Sequence, residues 1–239
     1  MLSRIALAFV SGLVLTAAAT TAQAQVTSYT DASNDIASGI ANAGGTLDIL
    51  GMEVSNTATD IVFRLTVNGN VGPGGTDWGK FMIGISTGSN AGDSGVNGNG
   101  WGRPINMSSA SGGMNYWIGS WVDGGGGSQL WNYTGSAWSG PGSLSGFTFA
   151  GNTITYTTSL ASLGLSVGSS FYFDAYSSGG GGTDSAVDAL ANPNVSVTGW
   201  SGPYTSGGTN PIYSYTVVPA PGAIALLGLA GLAARRRRR

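Results

Sequence analysis

Between Asp60 and Val67 the chain alternates without a break. Ile61, Phe63, Leu65 and Val67 fall on one side of an extended backbone, Arg64 and Thr66 on the other, and Asn68-Gly69-Asn70 closes the run. A repeat of two with a turn directly behind it is the pattern of a half-buried β-strand. Thr46-Leu47-Asp48-Ile49-Leu50 and Met52-Glu53-Val54-Ser55 lead into it. Further strands are expected at Lys80–Ser86, Met114–Val122, Gln129–Tyr133, Phe147–Ala150, Asn152–Thr158, Ser170–Tyr176, Asn194–Thr198 and Ile212–Val217. Glycine, 42 of the 239 residues, punctuates these runs together with Asn and Ser. The tetrads Gly124–Gly127 and Gly179–Gly182 are flanked by aromatic strands, so they read as surface loops within one domain rather than as linkers. Ser159–Leu165, reading SLASLGL, is the one stretch expected to turn helically or tightly. About ten short strands in this pattern predict an all-β fold, an antiparallel β-sandwich with Gly-rich loops.

The chain has no cysteine and no histidine. That excludes disulfides, Cys/His zinc sites, Ser-His-Asp and Cys-His nucleophiles, and a histidine general base. The Gly-x-Gly spacings lie outside any strand–turn–helix context, which rules out a dinucleotide loop. A glycosidase needs two carboxylates about 5–10 Å apart, and Asp93, Asp123 and Asp174 are the available candidates. The only Glu, Glu53, lies in an early strand, and no acid–base signature surrounds any Asp. A non-enzymatic role is expected.

The two ends read as addresses. Met1-Leu2-Ser3-Arg4, an apolar run from Ile5 to Ala19 and Ala22-Gln23-Ala24 make up a signal peptide over 1–24, cleaved after Ala24. At the other end Val218-Pro219-Ala220-Pro221-Gly222 precedes an apolar stretch, Ala223 to Ala234, and five arginines, Arg235 to Arg239. As a helix those twelve apolar residues reach about 18 Å, short of the roughly 30 Å of bilayer hydrocarbon. The arginines hold the tail on the cytoplasmic side, so the segment acts as a brief stop-transfer device. Residues 218–239 resemble the PEP-CTERM sorting signal, with Ala220 where that family carries Glu. The resemblance implies an exosortase-type membrane protease as partner, transient membrane insertion, and delivery to the cell surface or extracellular matrix. Val218, Pro219, Pro221, Gly222 and Arg235 carry the motif.

Without its ends the body, 25–217, keeps Arg64, Lys80 and Arg103 against all 11 acidic residues, a net charge of −8. Three scattered cations cannot neutralise a phosphate backbone, which excludes nucleic acid as a partner. Clustered Asp residues suit calcium instead. Asp174, and Asp184 and Asp188 four apart, are the candidate ligands if the Asp184–Asp188 piece turns helically. The other reading is of solvated side chains in a Gly-rich loop.

The order of a late strand, then SLASLGL, then GSSFYFDAY over Gly168–Tyr176 resembles the DOMON-like β-sandwiches, including family-nine carbohydrate-binding modules. Thr46 to Ile49, Asp60 to Val67, Trp78 to Thr87 and a block through Trp117 and Trp131 extend the likeness over roughly 28–217. It implies a jelly-roll-like sandwich and a haem or sugar ligand, and the lack of histidine removes the usual axial haem ligand. Trp78, Trp101, Trp117, Trp121, Trp131 and Trp138 fall within about 60 residues. Indoles stack on the C–H faces of sugars while amides, carboxylates and guanidinium pair with hydroxyls. In Tyr116–Val122, Trp117, Gly119 and Trp121 share one face. Either Trp117 and Trp121 form an exposed platform over Gly119, or they are core residues. Arg103 either pairs with Asp93 or Asp123 or is exposed. The candidate sugar site is Trp101, Arg103, Trp117, Trp121, Asp123 and Trp131, its ligand an extracellular polysaccharide. The competing expectation is a structural matrix protein with no discrete ligand.

Overall fold

The structure, a computed structural model, describes residues 25–41, 45–72, 79–88 and 91–220. The signal peptide with its cleavage site at Ala24, the sorting residues Pro221, Gly222 and Arg235, and Trp78 lie outside the described residues. Among those described, fourteen strands follow one another: β1 (Val26–Thr30), β2 (Ile49–Asn56), β3 (Asp60–Val67), β4 (Lys80–Ser86), β5 (Ile105–Met107), β6 (Tyr116–Trp121), β7 (Gly127–Tyr133), β8 (Trp138–Gly142), β9 (Gly146–Ala150), β10 (Thr153–Ser159), β11 (Ser170–Ser178), β12 (Asp188–Ala189), β13 (Tyr204–Ser206) and β14 (Tyr213–Thr216). Sheet one has the order β1-β2-β3-β10-β9. Sheet two has the order β12-β11-β4-β6-β7-β8, with β14 also paired to β11. Every neighbour in these two sheets is antiparallel, and β5 and β13 form a separate parallel pair. The chain is an all-β sandwich.

β3 coincides residue for residue with the run read from alternation, and β4 with the further strand expected at Lys80–Ser86. SLASLGL contains a single 3-10 turn, Ala161–Leu163, closed by Gly164 at φ 62°. Asn194–Thr198 is not a strand. Val195 is instead buried and Val197 half-buried in an apolar cluster outside sheet two, with no neighbouring strand to pair with. The inner core lies between the sheets, where Phe63 and Leu65 of β3 meet Ile83 of β4, Ile118 of β6 and Phe173 of β11. Its buried hydroxyls are paired: Ser120 Oγ lies 2.8 Å from Tyr156 OH and donates to Phe81 O at 2.9 Å. At the end of the body Asn56 ties the chain down. Its Nδ2 donates to Val218 O at 2.8 Å, and its Oδ1 accepts from Val218 N at 3.1 Å and from Tyr215 OH at 2.7 Å.

Candidate ligand-binding site

The register of sheet two sets three cross-strand rows on its outer face. They are Ser178–Lys80–Trp121–Gly127, Tyr176–Met82–Gly119–Gln129 and Asp174–Gly84–Trp117–Trp131. Glycine inside a strand ordinarily weakens it and marks a close approach. Here Gly119 and Gly127 make room for two rings: a Cβ on Gly119 would fall within the Trp101 indole, and one on Gly127 within the Trp121 indole. Trp101 and Trp121 therefore lie directly against the backbone of β6 and β7, their ring centroids 6.5 Å apart at 40°.

Trp101 belongs to a loop, and Asn99 holds that loop in place. Asn99 Nδ2 donates to Arg103 O and Ile105 O, both at 2.7 Å, and its Oδ1 accepts from Trp101 N at 3.0 Å and Arg103 N at 3.2 Å. The Trp101 Nε1–H donates to Gln129 Oε1 at 2.8 Å, and Trp131 Nε1–H donates to the same oxygen at 3.1 Å. With two indoles on its oxygen, Gln129 is oriented, and its amide nitrogen donates to no described residue.

Arg103 is 4% exposed, yet it pairs with no carboxylate among the described residues. Its Nη1 donates to Ser178 Oγ at 2.8 Å, Asp184 O at 3.1 Å and Gly179 O at 3.3 Å, while Nε and Nη2 donate to no described residue. The guanidinium sits 5.4 Å from the Trp101 ring centroid. Burial lowers its pKa, and the charge of Asp184 opposes that. Both expected placements of Arg103 are thereby corrected. Asp123 is taken by Lys80, whose Nζ donates to Oδ1 at 2.6 Å and Oδ2 at 2.8 Å, and Asp93 Oδ2 accepts from Trp138 Nε1 at 2.9 Å.

Trp101, Trp121, Arg103, Gln129, Lys80 and Asp123 line one cleft of about 540 Å³, with Gly124 and Gly182 at its rim. Four of the residues singled out in the sequence, Trp101, Arg103, Trp121 and Asp123, thus meet. Trp131 stands behind them, its ring against the backbone of Gly100. Trp117 does not line the cleft. It faces away from the inner core, as the alternation required, but is 0% exposed because Met107, Met114 and Tyr204 roof that part of sheet two. Its ring stacks on Tyr176 at 6.1 Å and 24° and meets the Trp101 ring at 6.1 Å and 70°. Lys80 and Gln129 were not foreseen. Lys80 is one of the body's three cations, a signal that was available, whereas Gln129 is set opposite Gly119 only by the pairing of β6 with β7.

Asp174, Asp184 and Asp188 are not brought to one point. Asp174 is buried, accepting from Ala175 N at 2.9 Å, Ala191 N at 3.1 Å and Ser206 Oγ at 2.5 Å. Burial pushes its pKa up to about 7 against these donors. Asp184 accepts from Gly181 N at 2.7 Å in the glycine loop, and Asp188 lies in β12 rather than in a helical turn. Asp188 groups instead with Asp31 and Asp35.

The chain matches no protein-family model, and comparison with curated proteins and with solved structures gave no match. The function is therefore argued from the site.

Proposed function

We propose that this protein is an exported, surface- or matrix-associated β-sandwich that binds extracellular polysaccharide in the cleft of Trp101 and Trp121. The observation that carries the reading is the pair of indoles laid on strand glycines, beside Arg103 Nε and Nη2 and the Gln129 amide nitrogen, which donate to no described residue. A pyranose ring presents a C–H face to such indoles and its hydroxyls to Arg103 Nε and Nη2, the Gln129 amide and Asp123. The cleft volume of about 540 Å³ suits one or two sugar units of a longer chain lying across it. Hydrolysis calls for two flanking carboxylates. Among the described cleft-lining residues the one carboxylate is Asp123, clamped by Lys80, which supports binding without catalysis.

The likeness to DOMON-like and carbohydrate-binding sandwiches agrees with this reading. So does the PEP-CTERM-like tail, which would hand the chain to an exosortase-type protease after transient insertion. Among the described residues no helix is long and apolar enough to cross a membrane. Retention of the purified protein in gels containing soluble polysaccharides tests the binding. Trp121→Ala is expected to weaken retention by the responsive polysaccharide about tenfold or more while the protein stays folded, because a half-exposed aromatic anchor contributes mainly to the ligand. Unchanged retention in this variant would remove the cleft from the account.

A further inference from the structure

Carboxylates from two distant stretches of chain come together at one edge of the sandwich. Asp31, Asp35 and Asp48 all lie in the connection between β1 and β2, the first directly after β1 and the last directly before β2, and Asp188 opens β12. The backbone draws them together: Asp31 N donates to Leu50 O at 3.0 Å, and Ile49 N donates to Asp188 Oδ2 at 2.7 Å. Oxygens of Asp31, Asp35 and Asp188 lie within 4.8 Å of one another. Two oxygens on opposite sides of a calcium ion stand about 4.6–5.2 Å apart, twice the Ca–O distance, and adjacent ones stand closer. The three fit around one ion.

The state of the oxygens is a second and independent observation. Asp48 is fully buried. Its Oδ2 accepts from Asn34 N and Asn68 Nδ2, both at 2.9 Å, and its Oδ1 accepts from nothing. Asp31 Oδ2 and both Asp35 oxygens are also shut off from solvent without a partner. The Asp48 charge acts on both Asp35 and Asp188, so it stands beside the group. Burial and mutual repulsion push Asp31 up to about 9 and Asp188 up to about 8. No cationic side chain among the described residues relieves them. Arg64 pairs with Glu53, Lys80 with Asp123, and Arg103 reaches neutral oxygens. Buried carboxylate oxygens lacking both donor and counter-charge are costly, and a cation removes that cost.

We propose that Asp31, Asp35 and Asp188, flanked by Asp48, bind one calcium ion. An all-oxygen set selects a hard cation, and a water-poor enclosure favours calcium over magnesium, which gives up its waters reluctantly. β1 and β2 belong to sheet one and β12 to sheet two, so the ion ties the edges of both sheets together. It also pins the loop after β1, where Ala37 is buried against the outer cluster and its N–H donates to Val187 O at 2.7 Å. In a chain without cysteine this is a cross-link of the kind a disulfide supplies elsewhere.

The purified protein, stripped with EDTA, is titrated with calcium and then magnesium by calorimetry, and melted with and without calcium. Asp35→Asn is treated in parallel, since the Asp35 carboxylate interacts only with its own backbone N–H and the neighbouring Asp31 carboxyl and anchors no distant part of the chain. One calcium per chain is expected, with a rise in melting temperature of about 5–15 °C at saturation. Asp35→Asn should bind calcium at least about tenfold more weakly. It should also melt above the wild type in EDTA, having lost a repelling charge, and below it in calcium. No heat and no melting shift at millimolar calcium overturns the proposal, as does Asp35→Asn melting higher in both conditions or binding calcium as tightly as the wild type.

Discussion

The outer faces of the two sheets share a strand geometry and differ in everything else. On sheet one the outward residues of β2, β3 and β10 include Glu53, Ser55, Arg64, Thr66, Thr155 and Thr157, polar and in contact with water, with the half-buried Val62 among them. On sheet two the equivalent positions of β4, β6, β7 and β11 hold glycines and large rings, Gly84, Gly119, Gly127, Trp117, Trp121, Trp131 and Tyr176, with Lys80, Asp174 and Ser178 among them. Loops carrying β5 and β13 cover part of that face and leave the Trp101–Trp121 cleft at its margin. A strand face that alternates apolar and polar needs only solvent. One that offers glycine and indole outward needs either a roof or a ligand, and this sheet has both, side by side.

The contrast is broken most severely under the roof. Trp117→Ala removes a fully buried indole and is expected to lower stability by about 3–5 kcal/mol, read as a shift in the urea midpoint. Arg64→Ala on the outer face of sheet one should change it by less than about 0.5 kcal/mol, its exposed ion pair with Glu53 contributing little.

A second difference is in pH response. Asp174 holds its proton more tightly folded than unfolded, with a pKa moved from 3.8 to about 7 by burial. The stability this gives is complete below pH 3.8 and is lost as pH rises through about 7. Ser206, Tyr176 and Tyr204 face it, and both tyrosines stay neutral through that window because burial raises their pKa values. Asp174→Asn mimics the protonated form: the amide oxygen keeps the Ala175 and Ala191 donors, and its nitrogen faces Ser206. The variant should match the wild type near pH 4 and melt above it at pH 8.5. Parallel melting curves at both values would show that Asp174 is ionised in the fold throughout.

A smaller effect on binding separates cleft from roof. Lys80→Met removes the Asp123 clamp at the margin and should leave stability within about 1 kcal/mol. It should lower glycan retention only modestly, several-fold less than Trp121→Ala does.

Most of sheet one and the middle of sheet two were legible because alternation is local. Asp60–Val67 carries its own register of inside and outside, whereas Lys80–Ser86 is buried on both faces beyond Lys80. The outward direction of Trp117 and Trp121 could be read the same way, and it holds for both. What separates a roofed indole from an open one is long-range: the Tyr176 and Tyr204 side chains and the Met107 loop arrive from distant parts of the chain. β8 was hidden by its Gly and Pro, and β5, β12 and β13 by their two or three residues. The acidic group was half visible. Asp188 was named, but Asp31, Asp35 and Asp48 join it only through the pairing of β1 with β2 and the hydrogen bond from Ile49 to Asp188. Arg103 shows the same limit. Its three acceptors, Ser178, Gly179 and Asp184, lie more than seventy positions downstream, and two of them are backbone carbonyls that no residue type announces.

The central claim is that Trp101 and Trp121 meet a glycan while Trp117 does not. The direct measurement is to follow the indole N–H resonances of ¹⁵N-labelled protein as a soluble polysaccharide is added. The account predicts saturable shifts of the Trp101 and Trp121 signals, assigned through single substitutions, with the Trp117 signal nearly still. Shifts confined to other tryptophans, or none across a broad panel of polysaccharides with a folded sample, would contradict it.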